Sequence, residues 1–506
     1  MPIPVVDIFA GPGGLGEGFS SYIPEGNQAP AFKIAVSAEM EANAARTLRL
    51  RAFFRQFPPG HAPDSYYEYV RGERSTPWTD DTQGEWDAAC REALQLTVGT
   101  PEHDEILHQR VAEISKEDKP WILVGGPPCQ AYSLVGRARN RGIAGYRPEE
   151  DERHFLYRHY LELIRKFRPA AFVMENVKGI LSSKVGGELV FPQILRDLQE
   201  PGGPNGPRYR VIPLLKSESL NESDTGRFIL RAENLGVPQA RHRVILLGLN
   251  ERVGNQEPTL LRETLPETHL QHVLEHLPPL RSGMTTKVVR NWPEDARRIL
   301  QLTADHARQL DSEVATKLKV AASWVSDDDP GTGGRWQPWD GDKLTLPKHL
   351  ADWLHDPRLG GILNHEVRSH MESDLMRYAY TAAFIEVYET SPRGADEFPQ
   401  ALHPNHKNWK SGKFIDRFTA QAWDRPSSTV TSHLSKDGHY FIHPDTVQLR
   451  SLSVREAARL QTFPDNYFFE GSRGAQFKQV GNAVPPWMAH QIAEAVYSIL
   501  EGVEPL

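Results

Sequence analysis

The stretch Asp7-Ile8-Phe9-Ala10-Gly11-Pro12-Gly13-Gly14-Leu15-Gly16 decides the fold. The apolar run that leads into it predicts a buried strand, and the glycines that follow predict a tight turn into a helix. Glycines 11, 13 and 16 have the spacing G-x-G-x-x-G, which lets a backbone approach a nucleotide-like ligand closely. Glu39 ends the next predicted strand, where a carboxylate can accept hydrogen bonds from both ribose hydroxyls. The pattern predicts a nucleoside site, for which NAD and S-adenosylmethionine are rival ligands.

The first 250 residues alternate short apolar runs with helical patterns, which indicates an α/β domain with a parallel sheet. The predicted strands are Val5 to Phe9, Ile34 to Ala38, Trp121 to Val124, Ala171 to Met174 and Val244 to Leu249. Ligands of such sheets bind at the carboxyl ends of the strands. Residues 53–101 fit this scheme poorly, and we expect an insertion packed on the edge of the sheet.

Composition sets broad limits on the function. The chain has 506 residues, which favours two domains, and its 39% hydrophobic and 25% charged residues are typical of a soluble globular protein. No apolar run is long enough to span a bilayer, and we expect a cytoplasmic protein. The two cysteines, Cys90 and Cys129, exclude a disulfide framework. A formal net charge of −8 means that any nucleic-acid surface is a local patch.

Three further segments carry polar side chains at predicted strand ends. Cys129 follows two rigid prolines after an apolar strand, as a nucleophile would. Glu175 and Asn176 end another strand, so the carboxylate faces the same cleft and can share a proton with a ring nitrogen. Arg241 and Arg243 enter a third strand and supply fixed donors for a carbonyl oxygen or a phosphate. Taken alone, each segment also fits an inert loop cysteine, a helix cap or a solvated surface pair.

In their order along the chain, these segments resemble the DNA cytosine-5 methyltransferase family. The motifs that carry the resemblance are the Asp-Ile-Phe-Ala-Gly loop, Pro127-Pro128-Cys129-Gln130, Glu175-Asn176-Val177, Gln239-Ala240-Arg241-His242-Arg243, Arg455 to Pro464, and Gln479 to Pro486. The resemblance implies a Rossmann-like S-adenosylmethionine-dependent methyltransferase domain with a second, smaller target-recognition domain. It implies domains at 1–250, with the insertion at about 53–101, and at 251–450, and a segment 451–506 that returns to the catalytic domain.

The resemblance also implies residue roles. Cys129 would be the nucleophile, Glu175 the acid that contacts the base and Arg243 the donor to the cytosine carbonyl, with Arg241 and Asn176 completing the catalytic group. Glu39 would bind ribose and Met40 would pack on adenine. The other expected cofactor-binding residues are Asp7, Phe9, Ala10, Gly11, Gly13, Gly14, Leu15, Pro128, Leu156, Asn482 and Ala483. The expected DNA-binding residues are Gln130, Ser133, Arg137, Gln239, Lys407, Lys410, Lys413 and Thr429.

The chain departs from the family at one adenine-contacting position. The family usually has Asp-Ile before the Pro-Cys loop, and here the nearest counterpart is Glu113-Ile114. A metal site is not expected, because His365 and His370 have neither cysteine partners nor a His-x-x-x-His spacing.

The expected partners are double-stranded DNA and a candidate restriction endonuclease that acts on the same site, with the enzyme itself a monomer. An RNA cytosine-5 methyltransferase is the nearest rival, but the roughly 200-residue middle segment favours duplex reading. A catalytically silent DNA-binding homologue is disfavoured by the intact Cys129, Glu175 and Arg243. An exocyclic-amine methyltransferase would carry Asp- or Asn-Pro-Pro-Tyr in place of Pro-Pro-Cys-Gln.

Overall fold

The structure is a computed structural model that describes residues 2–116, 119–128, 156–185, 187–215, 225–253, 259–261, 265–285, 291–340, 346–405, 409 and 415–501. Within these residues, eight strands form one central sheet. They are β1 (Ile3–Ile8), β2 (Phe32–Glu39), β3 (Ala93–Gln95), β4 (Ile122–Gly125), β5 (Ala171–Val177), β8 (Tyr209–Ile212), β9 (Ile229–Arg231) and β10 (His242–Asn250). The short strands β6 (Lys184–Val185) and β7 (Glu188–Leu189) form a separate hairpin.

The order of the sheet is β3-β2-β1-β4-β5-β10-β8, and β9 pairs with β10. Strands β1 to β5 are parallel to one another, whereas β10 is antiparallel to β5, β8 and β9. The parallel strands confirm the predicted α/β class, and they bring the carboxyl ends of β1, β2, β4 and β5 to one edge of the sheet. The antiparallel direction of β10 brings its first residues to that same edge.

Helices cover both faces of this sheet because side chains along a strand alternate between the two faces. Val5, Ile122 and Val173 face one side, and Val6, Leu123 and Phe172 face the other. The first side packs against α1 (Gly14–Ser21) and the last helix of the chain, Pro486–Leu500. The second side packs against α5 (Pro101–Ser115), α6 (Leu156–Phe167) and α7 (Val190–Gln199).

The helices α2 (Ala42–Phe54) and α4 (Gln83–Glu92) carry a buried ion cluster at the edge of the sheet. Arg51 donates from Nε to Glu17 Oε2 over 2.9 Å, and Arg55 pairs with Glu92 at 2.6 Å. These charges are almost fully buried, so each requires its partner: removing one of them would leave an uncompensated charge in the interior. Cys90, also on α4, is only partly buried.

The chain forms two compact units. Unit 1 comprises Met1–Ala62, Trp78–Pro266 and Ala483–Leu506, and unit 2 comprises Pro63–Pro77 and Glu267–Asn482. The predicted insertion is therefore divided: β3 forms the edge of the sheet in unit 1, whereas α3 (Asp64–Arg71) belongs to unit 2. In unit 2, Tyr66 donates to the Asn466 carbonyl and Tyr67 donates to Asp356 Oδ2, each over 2.8 Å.

Unit 2 is mainly helical. Its further helices are α8 (Gln271–Leu274), α9 (Trp292–Ala307), α10 (Ser312–Trp324), α11 (Lys348–Leu354), α12 (Glu372–Tyr388), α13 (Val454–Leu460) and α14 (Arg473–Asn482). The helix Pro486–Leu500, which follows in unit 1, is α15. The strands of unit 2 are β11 (Gly283–Met284), β12 (Gly333–Pro338), β13 (Gly361–Glu366) and β14 (Ser369–His370). The apolar side chains of α9, α10 and α12 form its core.

Buried arginines hold the Arg455-to-Pro464 motif within unit 2. Arg455 donates to the carbonyls of Leu363, Pro464 and Tyr467 over 2.8, 3.0 and 2.6 Å. Ser453 and Glu456 form a capping box that stabilises the start of α13. The helices α13 and α14 therefore pack in unit 2, and only Ala483 and the residues after it group with the sheet. None of the helices among the described residues has the length and apolar character that crossing a membrane requires.

Candidate active site

The turn after β1 holds an unusual backbone. Phe9 has a φ of +56° and Gly11 a φ of +59°, both in the left-handed region. This conformation is strained for Phe9, and such strain tends to occur at functional sites. The Gly11 N–H donates to Glu39 Oε2 over 2.9 Å, and the Glu41 N–H donates to Glu39 Oε1 over 2.8 Å. The carboxylate predicted to bind ribose is thus fixed against the glycine loop, and burial raises its pKa.

Asp7, the last polar residue before this turn, lies beneath it and not in it. Its side chain is 0% exposed, and burial raises its pKa to about 8 against the opposing charge of Arg55 and the backbone amide of Gly16. A Cβ on Gly16 would lie 3.3 Å from Asp7 Oδ2, so α1 packs directly on the carboxyl group. Asp7 therefore supports the loop from the core side, whereas we predicted it among the cofactor-binding residues.

The loop is closed on its other side by the chain just before α15. A Cβ on Gly14 would lie only 2.1 Å from the Val484 carbonyl oxygen, so only glycine fits at this position. Leu15 is buried in the sheet core. Ala483 lies in this closing segment, in unit 1, while Asn482 is the last residue of α14 in unit 2.

The predicted adenine contacts have different surroundings. Met40, directly after β2, has 62% of its surface exposed and so presents an apolar face at the edge of the sheet where ligands bind. Leu156 begins α6 and is partly buried, and its Cδ2 would lie 3.4 Å from a Cβ on Gly99.

Glu113 is not at this edge, which corrects its assignment as the counterpart of the family's Asp-Ile. It lies in the last turns of α5, 61% exposed, in an ion pair with Arg110. Two residues after β3, which the sequence analysis did not single out, lie beside predicted cofactor-binding residues. The Leu96 N–H donates to the Glu39 carbonyl over 3.0 Å, and Gly99 lies beside Leu156. The three-residue strand β3 gives no periodicity that could have revealed them.

Glu175 and Arg243, two of the predicted catalytic residues, form an ion pair. Arg243 Nε lies 2.7 Å from Glu175 Oε1, and both side chains are largely shielded, with exposed fractions of 12% and 14%. The register explains the pairing: β10 runs antiparallel to β5, with Arg243 opposite Val177 and Ile245 opposite Glu175. The two functional side chains predicted from separate motifs therefore meet across neighbouring strands.

The turn after β4 packs directly on this pair. A Cβ on Gly126 would lie 2.7 Å from Glu175 Oε2, and Asn176 Nδ2 donates to the Pro127 carbonyl over 3.3 Å. Asn176 Oδ1 also accepts from the Val177 N–H over 2.9 Å. Asn176 therefore fixes the proline turn beside Glu175. Pro128 is the last described residue of that turn, and Cys129, Gln130, Ser133 and Arg137 lie outside the described residues.

The positions of Arg241 and Gln239 differ from the predicted ones, because both side chains are buried. Arg241 is 1% exposed, and its Nη2 donates to the Ala483 carbonyl over 2.7 Å, so its guanidinium is held inside unit 1. Burial, and next the charge of Arg243, lower the pKa of Arg241 well below its usual value. Gln239 is 0% exposed, a placement that does not fit the predicted DNA contact.

In unit 2, Thr429 is partly buried, and Lys407, Lys410 and Lys413 lie outside the described residues. His365 bonds Ser453 Oγ and the Pro278 carbonyl, and His370 bonds Ser282 Oγ and the Asp437 carbonyl. Both imidazoles thus have protein partners, and the described residues hold no group of three or more side chains suited to a metal ion.

Known proteins match this chain over most of its length. A family model described as C-5 cytosine-specific DNA methylase matches residues 82–321 and 348–498. A type II methyltransferase of Bacillus paralicheniformis, M.Bpa9945I, is 32% identical over 523 residues, covering 98% of this chain and 99% of the relative. The DNA (cytosine-5-)-methyltransferase M.ApeKI of Aeropyrum pernix is 28% identical and covers 76% of this chain and 82% of its own.

A solved structure agrees on the fold. The crystal structure of a proposed DNA modification methyltransferase encoded within an E. coli prophage covers 99% of both chains with a TM-score of 0.54 and 18% identity. The family match begins at residue 82, so residues 82–101 of the predicted 53–101 insertion have a counterpart in the family. Together with the paired Glu175 and Arg243, these matches show that the chain belongs to the C-5 cytosine-specific DNA methylase family and is a DNA (cytosine-5-)-methyltransferase.

Proposed function

We propose that this enzyme methylates carbon 5 of a flipped-out cytosine in one duplex DNA sequence, through a covalent adduct of Cys129 at carbon 6. The observation that carries the proposal is the ion pair of Glu175 and Arg243, on which the Gly126-Pro127-Pro128 turn packs. Cys129 is the next residue in the chain after that turn. A nucleophile, an acid and a fixed donor are thus supplied from three adjacent chain segments.

The glycine loop fits S-adenosylmethionine as the methyl donor. A Cβ on Gly11 would meet nothing within 4 Å, so the backbone faces open space there. Glu39 and the exposed Met40 stand at the end of the next strand, where a carboxylate suits ribose hydroxyls and a thioether suits an adenine ring. In this proposal Phe9, Ala10, Gly11 and Gly13 border the cofactor, and S-adenosylmethionine supplies an electrophilic methyl group when bound.

The chain's own residues make carbon 5 reactive. The Cys129 thiolate adds to carbon 6 of the ring, and the displaced electron pair makes carbon 5 nucleophilic. Glu175 favours the addition by donating a proton or a hydrogen bond to ring nitrogen 3, and Arg243 polarises the carbonyl oxygen. Once carbon 5 carries the methyl group, loss of its proton and departure of the thiolate restore the ring.

Cytosine inside a stacked duplex is out of reach of these groups, so the base must be flipped out of the helix. We assign this task to the segment from Ser133 to Arg153, with Gln130, Ser133 and Arg137 at the DNA. We assign reading of the target sequence to residues 251–450, where Thr429 and the three lysines would meet DNA. The names of the relatives, type II methyltransferases, support a role as the modification enzyme of a restriction-modification system.

The test is to map 5-methylcytosine by bisulfite sequencing in a host that lacks other cytosine methylation. We expect methylation at one short sequence with the wild-type gene and none with Glu175→Gln, a neutral substitution of similar size. Extracted DNA should resist an endonuclease that cuts the mapped sequence. Absence of 5-methylcytosine with the wild-type gene would contradict the activity, and methylation without sequence preference would contradict the assigned specificity.

A further inference from the structure

Arg241 is a buried cation that the proposed mechanism does not use. Its Nη2 donates to the Ala483 carbonyl over 2.7 Å, and 1% of its surface is exposed. A buried charge is costly unless its contacts repay the lost hydration. A base-contacting role is excluded by this placement, because a group that meets a flipped cytosine must reach the cleft.

The carbonyl that Arg241 binds belongs to the segment that closes the cofactor loop. Val484 follows Ala483, and its carbonyl oxygen fills the space where Gly14 would carry a Cβ, at 2.1 Å. Gly18, one turn further along α1, is equally tight against α15, since its Cβ would lie 2.4 Å from Ala489 Cβ. The position of Ala483 and Val484 therefore sets the position of the first turn of α1.

Arg241 directly precedes β10, the strand that carries Arg243. Its backbone N–H donates to Glu233 Oε2 over 3.1 Å, and His242 bonds Glu233 Oε1 over 2.6 Å. Arg243 follows two residues later and pairs with Glu175. Arg241 is close enough to Arg243 and Glu175 for both charges to act on it. Residues 241–243 thus contact two sites: Arg243 pairs with Glu175 at the proposed base site, and Arg241 binds the segment that closes the cofactor loop.

We propose that Arg241 is a positioning residue that holds the Ala483–Val484 segment against the cofactor loop and so links the cofactor site to the Glu175–Arg243 pair. The proposal rests on the proposed function, because it takes the glycine loop as the S-adenosylmethionine site. Its consequence is that loss of Arg241 weakens the cofactor site first, although Arg241 belongs to the motif that carries a base-contacting arginine.

The test combines calorimetry with S-adenosylmethionine and steady-state kinetics on duplex DNA. Arg241→Met should raise the cofactor Kd and KM about 10- to 100-fold, as expected for a lost hydrogen bond from a charged donor, and should lower kcat by a smaller factor. Arg241→Lys, which can still donate to Ala483, should recover part of the affinity. Arg243→Met should give the opposite split, with a large loss in kcat and little change in the cofactor Kd.

Gly14→Ala displaces the neighbouring Val484 carbonyl of the same segment from the loop side, and it keeps the test decisive if Arg241→Met folds poorly. It should raise the cofactor Kd, and the double substitution should raise it by less than the product of the two single effects. The positioning role would be overturned if the two single effects on the cofactor Kd multiplied in the double variant. It would also be overturned if Arg241→Met left the cofactor Kd unchanged or lowered only kcat. If the wild type binds no S-adenosylmethionine, the proposed function fails and this inference fails with it.

Discussion

Gly126 gives the sharpest prediction about the base site. A Cβ at this position would lie 2.7 Å from Glu175 Oε2, and ordinary contact begins at 3.4 Å. In Gly126→Ala the carboxylate must therefore retreat by about 0.7 Å, but its other oxygen is paired with Arg243 Nε at 2.7 Å. The methyl group thus separates the pair or pushes the proline turn outward. Because misplacement by about 1 Å can cost a reacting group on the order of 100-fold, we expect kcat to fall about 10- to 100-fold.

The assay is single-turnover methyl transfer to duplex DNA at saturating S-adenosylmethionine, with cofactor affinity measured in parallel. The cofactor Kd should stay within about threefold of the wild type, because Gly126 lies after β4 and not in the glycine loop. Gly84→Ala is the matched control: Gly84 lies in α4, and its Cβ would meet nothing within 4 Å. A Gly126→Ala enzyme that is folded and transfers methyl groups at the wild-type rate would refute the packing argument.

Three further predictions address the cofactor site, the core and the DNA surface. Glu39→Ala should weaken S-adenosylmethionine binding by about 1–3 kcal/mol in calorimetry, whereas Glu113→Ala, on the exposed face of α5, should not, and equal effects would contradict the assignment. Asp7 has its pKa raised from 3.8 to about 8, so the folded state holds a proton that the unfolded state releases, and stability falls as pH rises across this window. The free energy of unfolding of Asp7→Asn, measured in urea, should therefore rise relative to that of the wild type as the pH increases from 4 to 8. A difference between the two proteins that is constant with pH would contradict the raised pKa. Joint alanine substitution should weaken DNA binding evenly across sequences and flatten its salt dependence when it is applied to Lys407, Lys410 and Lys413. A loss of binding at one sequence alone would count against phosphate contacts.

The parallel part of the sheet, and Glu175 and Arg243 as candidate catalytic residues, could be predicted because they depend on local patterns. The runs that became β1, β2, β4 and β5 are mostly apolar, as is typical of strands covered on both faces. The strand that became β10 was also predicted, but its direction was not, because an apolar run has the same pattern in either orientation. Glu175 and Arg243 were each singled out from their motifs, and only the antiparallel register shows that they meet.

What the sequence did not reveal depends on distant contacts. Arg241 has the same residue type and motif as Arg243, and only the carbonyl of Ala483, 242 residues away, explains its burial. Asp7 lies in a predicted strand, but its burial beneath α1 could not be predicted because the packing of α1 over it is not visible in a linear pattern. The placement of α3 also depends on distant residues, because Tyr66 and Tyr67 bond Asn466 and Asp356 within unit 2.

The most direct test of the central claim is to trap the covalent intermediate on duplex DNA that carries 5-fluorocytosine at the mapped target. Fluorine at carbon 5 blocks the final proton loss, so the thiolate cannot depart. Intact mass and peptide mapping should locate the adduct at Cys129 in the wild type and equally in Cys90→Ser, which removes the other cysteine of the chain. Cys129→Ser should form no adduct and no 5-methylcytosine while still binding S-adenosylmethionine. An adduct on another residue, or near-normal methylation by Cys129→Ser, would contradict the account.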